Sequence, residues 1–370
     1  MTTATMTKPR RARSTGISLS TSSLKAALAA VKAAVPARSP KPVLVNVLMA
    51  NGSLTASDLE LQITTPIDYD GEPILLPHAK LVAILNAARG DEVTIDAKGS
   101  ACVVTVGSGS WTLPTESAAE FPAWEPSGLN PIARIPADQF VRAIGSTSYA
   151  TDNESSRYAL GAVLVEMKEG TLTFVGTDGR RLAAYECEVD QATDDSTTLI
   201  PNRAAGVMAS MAGHSSEAVQ LEANASEVVA SHDGTVVTAR LVEGRFPRWR
   251  DVFPERDVQA SLVIPAELRA ATRQAAITTS EQSKGVTFAF TSEGIHLTAQ
   301  SAEAGQSSVT CPIEEFGHAA TVKLDPSFVV DLVSSVDADE PFEVEAVDAQ
   351  SAVVFRSGDV RAVIMPLADD

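Results

Sequence analysis

The chain is poor in aromatic residues and has no long apolar run. Aromatic residues make up 5% of its 370 residues, against 44% hydrophobic residues, so its cores must be built mainly from Ala, Val, Leu and Ile. No stretch approaches the roughly 20 consecutive apolar residues of a membrane-spanning helix, and we find no apolar signal-peptide region. These features exclude membrane-spanning and disordered classes and predict a cytoplasmic protein of two or three domains.

Cysteine and histidine are also scarce, and neither is clustered. Cys102, Cys187 and Cys311 lie far apart, which favours reduced thiols over a disulfide framework. The five histidines are dispersed, without the spacing of metal ligands on a helix. The sequence also lacks a phosphate-binding glycine loop and a nucleophile elbow. We therefore expect no metal, no cofactor and no catalysis; a deep polar pocket with converging carboxylates would revive the enzymatic alternative.

What the chain does contain is one pattern repeated three times, with a period of roughly 115–120 residues. The copies begin near Ile17, Ala133 and Ser261. Each has two helices and about eight short strands, which predicts an α+β domain with helices on one face of a curved antiparallel sheet. We predict a polar, basic, disordered tail at 1–15 and domains at 16–130, 131–255 and 256–370. Short hydrophilic linkers favour a rigid crescent over separate modules on a string.

Acidic residues dominate the composition, with 47 acids, 29 bases and a formal net charge of −18 at pH 7. The helices do not follow this balance, because five of the six contain bases and at most one acid, in the first turn, where the helix dipole favours it. The sixth, predicted at Pro326–Val336, has Asp331 and no base. These helices are either ordinary solvated faces or a shared basic surface that contacts a polyanion weakly and without regard to sequence.

The first helix illustrates this arrangement. Lys25 and Lys32 are seven residues apart and project from one face, while the opposite face carries the apolar stripe Leu24, Leu28, Val31 and Val35. No aromatic platform accompanies the bases, so binding to single-stranded nucleic acid is not indicated. A basic arm at 1–15 that touches a polyanion is the alternative to a disordered tail.

Four segments resemble the bacterial DNA polymerase III beta subunit family. They are SRYAL (Ser156–Leu160), VGTDGRRLA (Val175–Ala183), LVEGRFPRWRDVFP (Leu241–Pro254) and VIMPL (Val363–Leu367). The threefold repeat, the chain length and the motif order match that family from about Ile17 to Asp370. Each segment alone is weak evidence, whereas their combination is specific.

The resemblance implies a DNA sliding clamp, a processivity factor of DNA replication without catalysis of its own. Two chains would form a head-to-tail homodimer whose six domains close a ring around duplex DNA, without sequence preference. The implied partners are the DNA polymerase III catalytic subunit, a clamp loader and other clamp-binding-motif proteins. A monomeric scaffold descended from clamps, without a DNA function, is the alternative.

Three sets of candidate site residues follow. Helix charge indicates DNA contacts at Lys25, Lys32, Lys80, Arg142, Arg203, Arg269 and Arg273, and the resemblance adds Arg38, Arg157 and Tyr158. The resemblance places a partner-peptide pocket at Leu160, Thr177, Gly179, Arg180, Arg181, Leu182, Pro247, Val252, Val363, Ile364, Met365, Pro366 and Leu367. It places the dimer interface at Trp111, Leu113 and Ile277.

Two of these sets have plainer alternatives. Trp111 could be a buried core residue, and Thr177–Leu182 could be an ordinary hairpin, because Asp-Gly alone marks a turn. The chain also departs from the family's common pattern. Ala159 stands where a second tyrosine is frequent, Arg180 where histidine is frequent and Asp251 where a basic residue is frequent.

Overall fold

The structure is a computed structural model that describes residues 16–122, 124–152, 158–187, 189, 193–213, 217–280 and 284–368. The predicted tail at 1–15 therefore lies outside the described residues. The described chain forms two compact units. The first contains the residues up to Glu125 together with Gly234–Val237, and the second contains the rest. No helix of the described residues has the length and apolarity that a membrane crossing requires.

Each predicted copy contributes two helices and eight strands to the described chain. The first copy contains β1 (Ile17–Ser20), α1 (Thr21–Val31), β2 (Asn46–Ala50), β3 (Ser53–Ser57), β4 (Leu61–Pro66), β5 (Ile74–Pro77), α2 (His78–Ala87), β6 (Glu92–Lys98), β7 (Ala101–Val106) and β8 (Gly109–Pro114).

The second copy contains β9 (Asn130–Pro136), α3 (Ala137–Thr147), β10 (Ala162–Lys168), β11 (Thr171–Thr177), β12 (Arg181–Cys187), β13 (Ser196–Pro201), α4 (Asn202–Ala212), β14 (Ala218–Ala223), β15 (Glu227–His232) and β16 (Thr235–Arg240). The third contains β17 (Ser261–Val263), α5 (Pro265–Ala275), β18 (Val286–Thr291), β19 (Gly294–Ser301), β20 (Gly305–Cys311), β21 (Ala320–Leu324), α6 (Pro326–Val333), β22 (Phe342–Glu345), β23 (Val353–Ser357) and β24 (Val360–Ile364). The predicted α+β class, with its repeated order of elements, is confirmed.

The first unit contains two antiparallel groups of strands, in the orders β1-β6-β7-β8 and β5-β2-β3-β4. Helix α1 buries Leu24, Leu28 and Val31, as its apolar stripe predicts. It ends at Val31, earlier than predicted, and Lys32 begins a 3₁₀ turn. Val35 is extended (φ −99°, ψ 109°), because the proline that follows it disfavours helical backbone.

Local sequence signals explain other boundaries. Asn51-Gly52 and Glu169-Gly170 join paired strands with positive φ at both residues, as type I′ hairpin turns require. Pro265 is the first residue of α5, a position that tolerates proline, whereas Pro136 is the N-cap of α3. Helix α4 ends at Ala212, and its C-cap Gly213 has a φ of +54°, a conformation that favours glycine. Glycine and proline therefore account for these turns and helix ends.

In the second unit, one eight-stranded sheet joins the second and third copies. Its order is β13-β10-β11-β12-β24-β23-β22-β17. The joining pair is β12 and β24, with Leu182 opposite Val363. Arg256, the first residue of the predicted third domain, donates to the Glu345 carboxylate and to the carbonyl of Ala352 at 2.9 Å. This sheet holds the segments of the predicted pocket together.

The cores match the composition, since they are dominated by Val, Leu, Ile and Ala with few aromatic rings. The largest buried rings include Phe140 and Phe174, which meet edge to face at 5.9 Å. All three cysteines are buried and free, as their spacing predicts. Burial raises the pKa of the Cys102 thiol to about 11 and that of Cys311 to about 12.

Candidate functional site

The turn between β11 and β12 is fixed by its own side chains. Asp178 Oδ1 accepts from the backbone N–H groups of Arg180 and Arg181 at 2.8 and 2.9 Å. Thr177 Oγ1 donates to the Arg181 carbonyl at 2.6 Å and accepts from the Gly179 N–H at 3.1 Å. Gly179 has a φ of +87°, which favours glycine. The hairpin interpretation of Asp-Gly is therefore correct, and the turn also presents two neighbouring arginines.

Arg181 is an internal residue of the second unit. Its side chain is 12% exposed. Its guanidinium donates to Asp178 Oδ2 at 3.1 Å, to Asp331 Oδ2 at 2.7 Å and to the Tyr149 carbonyl at 2.7 Å. It also lies 4.3 Å from the centre of the Phe328 ring. Arg181 thus joins the turn of the second copy to helix α6 of the third.

This arrangement explains why α6 breaks the charge pattern of the helices. Asp331, the acid in the predicted helix Pro326–Val336, is the Arg181 partner. The acid at this position therefore forms an ion pair across the junction between the second and third copies. The sequence analysis did not predict this ion pair. The charge of the sixth helix, which has Asp331 and no base, could have indicated that Asp331 has a basic partner elsewhere.

Next to this junction is an apolar cleft of about 500 Å³. Most of its lining was predicted: Thr177, Gly179, Arg180, Arg181, Leu182, Pro247, Val252, Val363 and Met365. Asp251 and Ala352 complete it. Ala352 precedes β23 and carried no signal in the sequence. The structure thus brings together residues from four separate parts of the chain.

Four predicted pocket residues do not line this cleft. Ile364 is 1% exposed and belongs to the core of the third copy, because neighbouring residues of β24 face opposite sides of the sheet. Leu160 is 8% exposed. Leu367 donates its N–H to the Lys323 carbonyl at 2.8 Å, so the chain has left the cleft by that residue. Pro366 is half-buried and outside the lining.

Exposure of large hydrophobic side chains marks the cleft independently. In the part of the chain that the structure describes, the exposed large hydrophobic residues are Val252 at 37%, Ile277 at 76% and Met365 at 41%. Val252 and Met365 line the cleft, and Ile277 is a predicted dimer residue. Exposed apolar groups next to one another are typical of docking surfaces.

The rim of the cleft carries charges of both signs. Arg180 is exposed and lies 4.9 Å from the Phe328 ring centre. It forms no ion pair with a described residue. Asp251 on the lining pairs with Arg248 at 3.2 Å, and both side chains are more than half exposed. Two of the three departures from the family's common pattern, Arg180 and Asp251, therefore lie at the opening of the cleft and not in its apolar interior.

The predicted DNA contacts lie mainly on exposed helix faces. Exposed members are Lys25, Lys32, Arg38, Lys80, Arg142, Arg203 and Arg273, while Arg269 is half-buried. Arg142 pairs with Asp138 one turn away at 2.7 Å, with both side chains over 60% exposed, so the pair is weak. Arg157 lies outside the described residues, and of Tyr158 only the backbone is described, in the 3₁₀ turn Tyr158–Gly161.

The predicted dimer residues lie on or beside the free edges of two sheets. Trp111 and Leu113 are in β8, the edge strand of its group, and β20 is the edge of the group β20-β19-β18-β21. Ile277 lies beside β20, since Thr278 Oγ1 is 2.9 Å from Ser307 Oγ. Trp111 is half-buried, whereas Leu113 is 8% exposed and packs inside its own unit.

Comparison with known proteins identifies the family of the chain. Models of the N-terminal and central domains of the DNA polymerase III beta subunit match residues 15–125 and 134–248. The beta sliding clamp of Chlamydia pneumoniae is 28% identical over 349 residues, covering 91% of this chain and 94% of the relative. That of Vibrio cholerae is 25% identical over 342 residues, covering 89% and 93%.

A solved structure shows the same fold. It is the sliding clamp of Pseudomonas aeruginosa bound to griselimycin, with a TM-score of 0.88 and 24% identity, covering 96% of this chain and 99% of that one. The two domain models together cover more than half of the sequence. The chain belongs to the DNA polymerase III beta subunit family, the bacterial sliding clamps, which are non-catalytic processivity factors.

Proposed function

We propose that two copies of this chain encircle duplex DNA and hold the replicative polymerase through the cleft beside Met365. The main support for the proposal is the exposure of large hydrophobic residues. Among the described residues, the exposed ones are Val252, Ile277 and Met365. Two of them line the cleft, where an extended peptide with apolar side chains would bury them. We propose three domains, at 16–130, 131–255 and 256–370.

Retention on DNA by enclosure needs weak contacts. The exposed cations of the helices, such as Lys25 and Lys80, are few and separated in a chain of net charge −18. Scattered phosphate contacts of this kind are sequence-blind and salt-sensitive, so they allow the protein to move along the duplex. We propose Lys25, Lys32, Arg38, Lys80, Arg142, Arg157, Tyr158, Arg203, Arg269 and Arg273 as this set.

Ring closure would use the free edges of β8 and β20. Their sequences, GSWTLP and GQSSVTC, contain no charged residue. Exposed edges are ordinarily protected from pairing by charge, so two uncharged edges of similar length favour strand pairing between chains. Trp111 on one chain and Ile277 on the other would provide the apolar contact, with Leu113 supporting Trp111 from within its own unit.

The cleft is proposed to receive peptides of several partners in turn. These are the DNA polymerase III catalytic subunit, the clamp loader and other clamp-binding-motif proteins. The griselimycin complex of the Pseudomonas aeruginosa clamp supports a ligand site on this fold. Because such partners act on replicating DNA, we also propose that the protein works in the cytoplasm.

The decisive experiment is topological. The protein is loaded onto nicked circular DNA by its clamp loader, separated from free protein, and the circle is then cut once. We expect retention on the circle and release after cutting, with an uncut circle as the control. Equal retention on cut and uncut DNA would contradict enclosure. A solution mass near 38.8 kDa, the mass of one chain, would favour the monomeric scaffold.

A further inference from the structure

A second and larger opening, of about 980 Å³, adjoins the peptide cleft. Pro247 and Asp251 line both. The walls of the larger opening come from β10, β13, residues 224–226 and the segment Arg240–Asp251. An elongated ligand in the cleft would therefore meet this opening within a few residues of its apolar anchors.

The wall segment is held firmly in place. Trp249 is 5% exposed and packs in a core cluster that includes Leu164 and Leu199. The Arg250 guanidinium lies 4.1 Å from the centre of the Trp249 ring and donates to Glu166 at 2.6 Å. The segment is therefore anchored by a buried tryptophan and by an ion pair to Glu166 of β10, which fixes the backbone that carries the neighbouring charges.

Charge in this opening differs in sign from the whole molecule. Five basic and three acidic residues line it, in a chain of net charge −18. Two of the bases have acidic partners: Arg250 pairs with Glu166, and Arg248 pairs with Asp251 at 3.2 Å.

Two further bases, Lys168 and Arg245, are exposed and form no ion pair with a described residue. Glu243, the remaining acid, is also exposed and forms no ion pair with a described residue. Its negative charge limits how much anionic charge the opening can accept. A short acidic peptide fits this balance better than a long polyanion does.

We propose that this opening binds acidic residues that flank the apolar motif of a partner peptide. The inference rests on the proposed function, since it requires the apolar motif to occupy the cleft. A peptide carboxylate beside Lys168 or Arg245 would form an exposed ion pair, which adds modest, salt-sensitive affinity. The opening would thus distinguish partners that share apolar anchors and differ in flanking charge.

The test compares matched peptides on the full-length protein. A neutral fluorescent heptapeptide with leucine and phenylalanine anchors is selected from a library for binding to the intact protein. It is then extended by three aspartates, at one end or the other, and by three asparagines as the matched control. The variant Lys168→Gln/Arg245→Gln removes the proposed contacts, and Lys41→Gln, an exposed cation of the first unit, controls for net charge.

We expect one aspartate extension to tighten Kd by about threefold to tenfold at low ionic strength relative to asparagine. The gain should vanish in Lys168→Gln/Arg245→Gln, persist in Lys41→Gln and fade at about 1 M salt, where the Debye length is about 3 Å. Equal binding of the aspartate and asparagine peptides would overturn the inference, as would a gain that survives in the double variant.

Two other outcomes distinguish a failure of this inference from a failure of the proposed function. If no neutral peptide from the library binds, the cleft assignment fails and the inference fails with it. If the neutral peptide binds, but a short DNA duplex displaces only the aspartate extension, the opening is a nucleic-acid contact and the inference alone fails.

Discussion

Replacing Arg181 by methionine should destabilise the second unit far more than Asp331→Asn does. The Arg181 side chain is 12% exposed and bonds to Asp178, Asp331 and the Tyr149 carbonyl. Methionine keeps the apolar packing of the stem and removes all three bonds, together with the stacking on Phe328. Asp331→Asn removes the charge of one partner only.

The expected loss of stability in each variant depends on how exposed the affected carboxylate is. The Asp178 side chain is 9% exposed, and removing the partner of a buried charge costs about 3–5 kcal/mol. Two backbone N–H groups still donate to Asp178, which reduces the cost to about 2–3 kcal/mol. The Asp331 side chain is 45% exposed, so water replaces its partner and the cost stays below about 1 kcal/mol.

Differential scanning calorimetry in one buffer tests this comparison. In a unit of this size, each kcal/mol lowers Tm by about 2–4 °C, so Arg181→Met should lower Tm by about 4–12 °C and Asp331→Asn by less than about 4 °C. Equal shifts would refute the argument from burial. An unchanged Tm for Arg181→Met with peptide binding lost would instead make Arg181 a ligand contact without a structural role.

Three further predictions concern the dimer, the C-terminal run and acid stability. Trp111→Ala should weaken the dimer by about 1–3 kcal/mol if the ring is an interface anchor; an unaltered dissociation constant in sedimentation would place Trp111 in the core of its own chain. Deleting Met365–Asp370 should abolish polymerase stimulation in primer extension and leave the dimer intact, because β24 ends at Ile364; unchanged stimulation would refute the cleft assignment. Burial alone would raise the pKa of Glu345, but bonds and charges from Arg256 and Arg356 lower that pKa below its ordinary value. Its contribution to stability is then present above the unfolded-state pKa of about 4.3 and is lost as pH falls through the lower folded value. The urea midpoint of Glu345→Gln should therefore fall less steeply below that pH than the midpoint of the intact protein, and parallel profiles would contradict the shift.

The repeated fold could be predicted because its signals are local. Apolar spacing in α1, the proline at Pro265 and the glycine turn at Gly52 each depend on a few neighbouring residues. The predicted ends of the helices were less accurate. The first helix stops at Val31, before Pro36, and α6 stops at Val333, short of the predicted Val336. Competition between 3₁₀ and α-helical geometry in a last turn has no strong sequence signature.

The cleft could be predicted only in part. The resemblance supplied runs of consecutive residues, whereas only some residues of each run line the cleft. Val363 and Met365 face the cleft, but Ile364 between them faces the core. Alternation along a strand could have excluded Ile364 in advance. The bond between Arg181 and Asp331 could not have been predicted this way, because 150 residues separate them and strand pairing brings them together.

The two neighbouring arginines of the turn therefore have separate roles. Arg181 is mostly shielded from solvent and bonded to three partners, so a substitution there changes both the stability of the sheet junction and the shape of the cleft. Arg180 is exposed, forms no described ion pair and stacks on Phe328 at 4.9 Å, and Asp251 faces solvent on the same rim. Because substitutions at exposed positions away from buried networks usually change stability by no more than about 0.5 kcal/mol, the charge preference of the cleft can change at Arg180 and Asp251 without loss of the fold. The same freedom does not extend to Arg181.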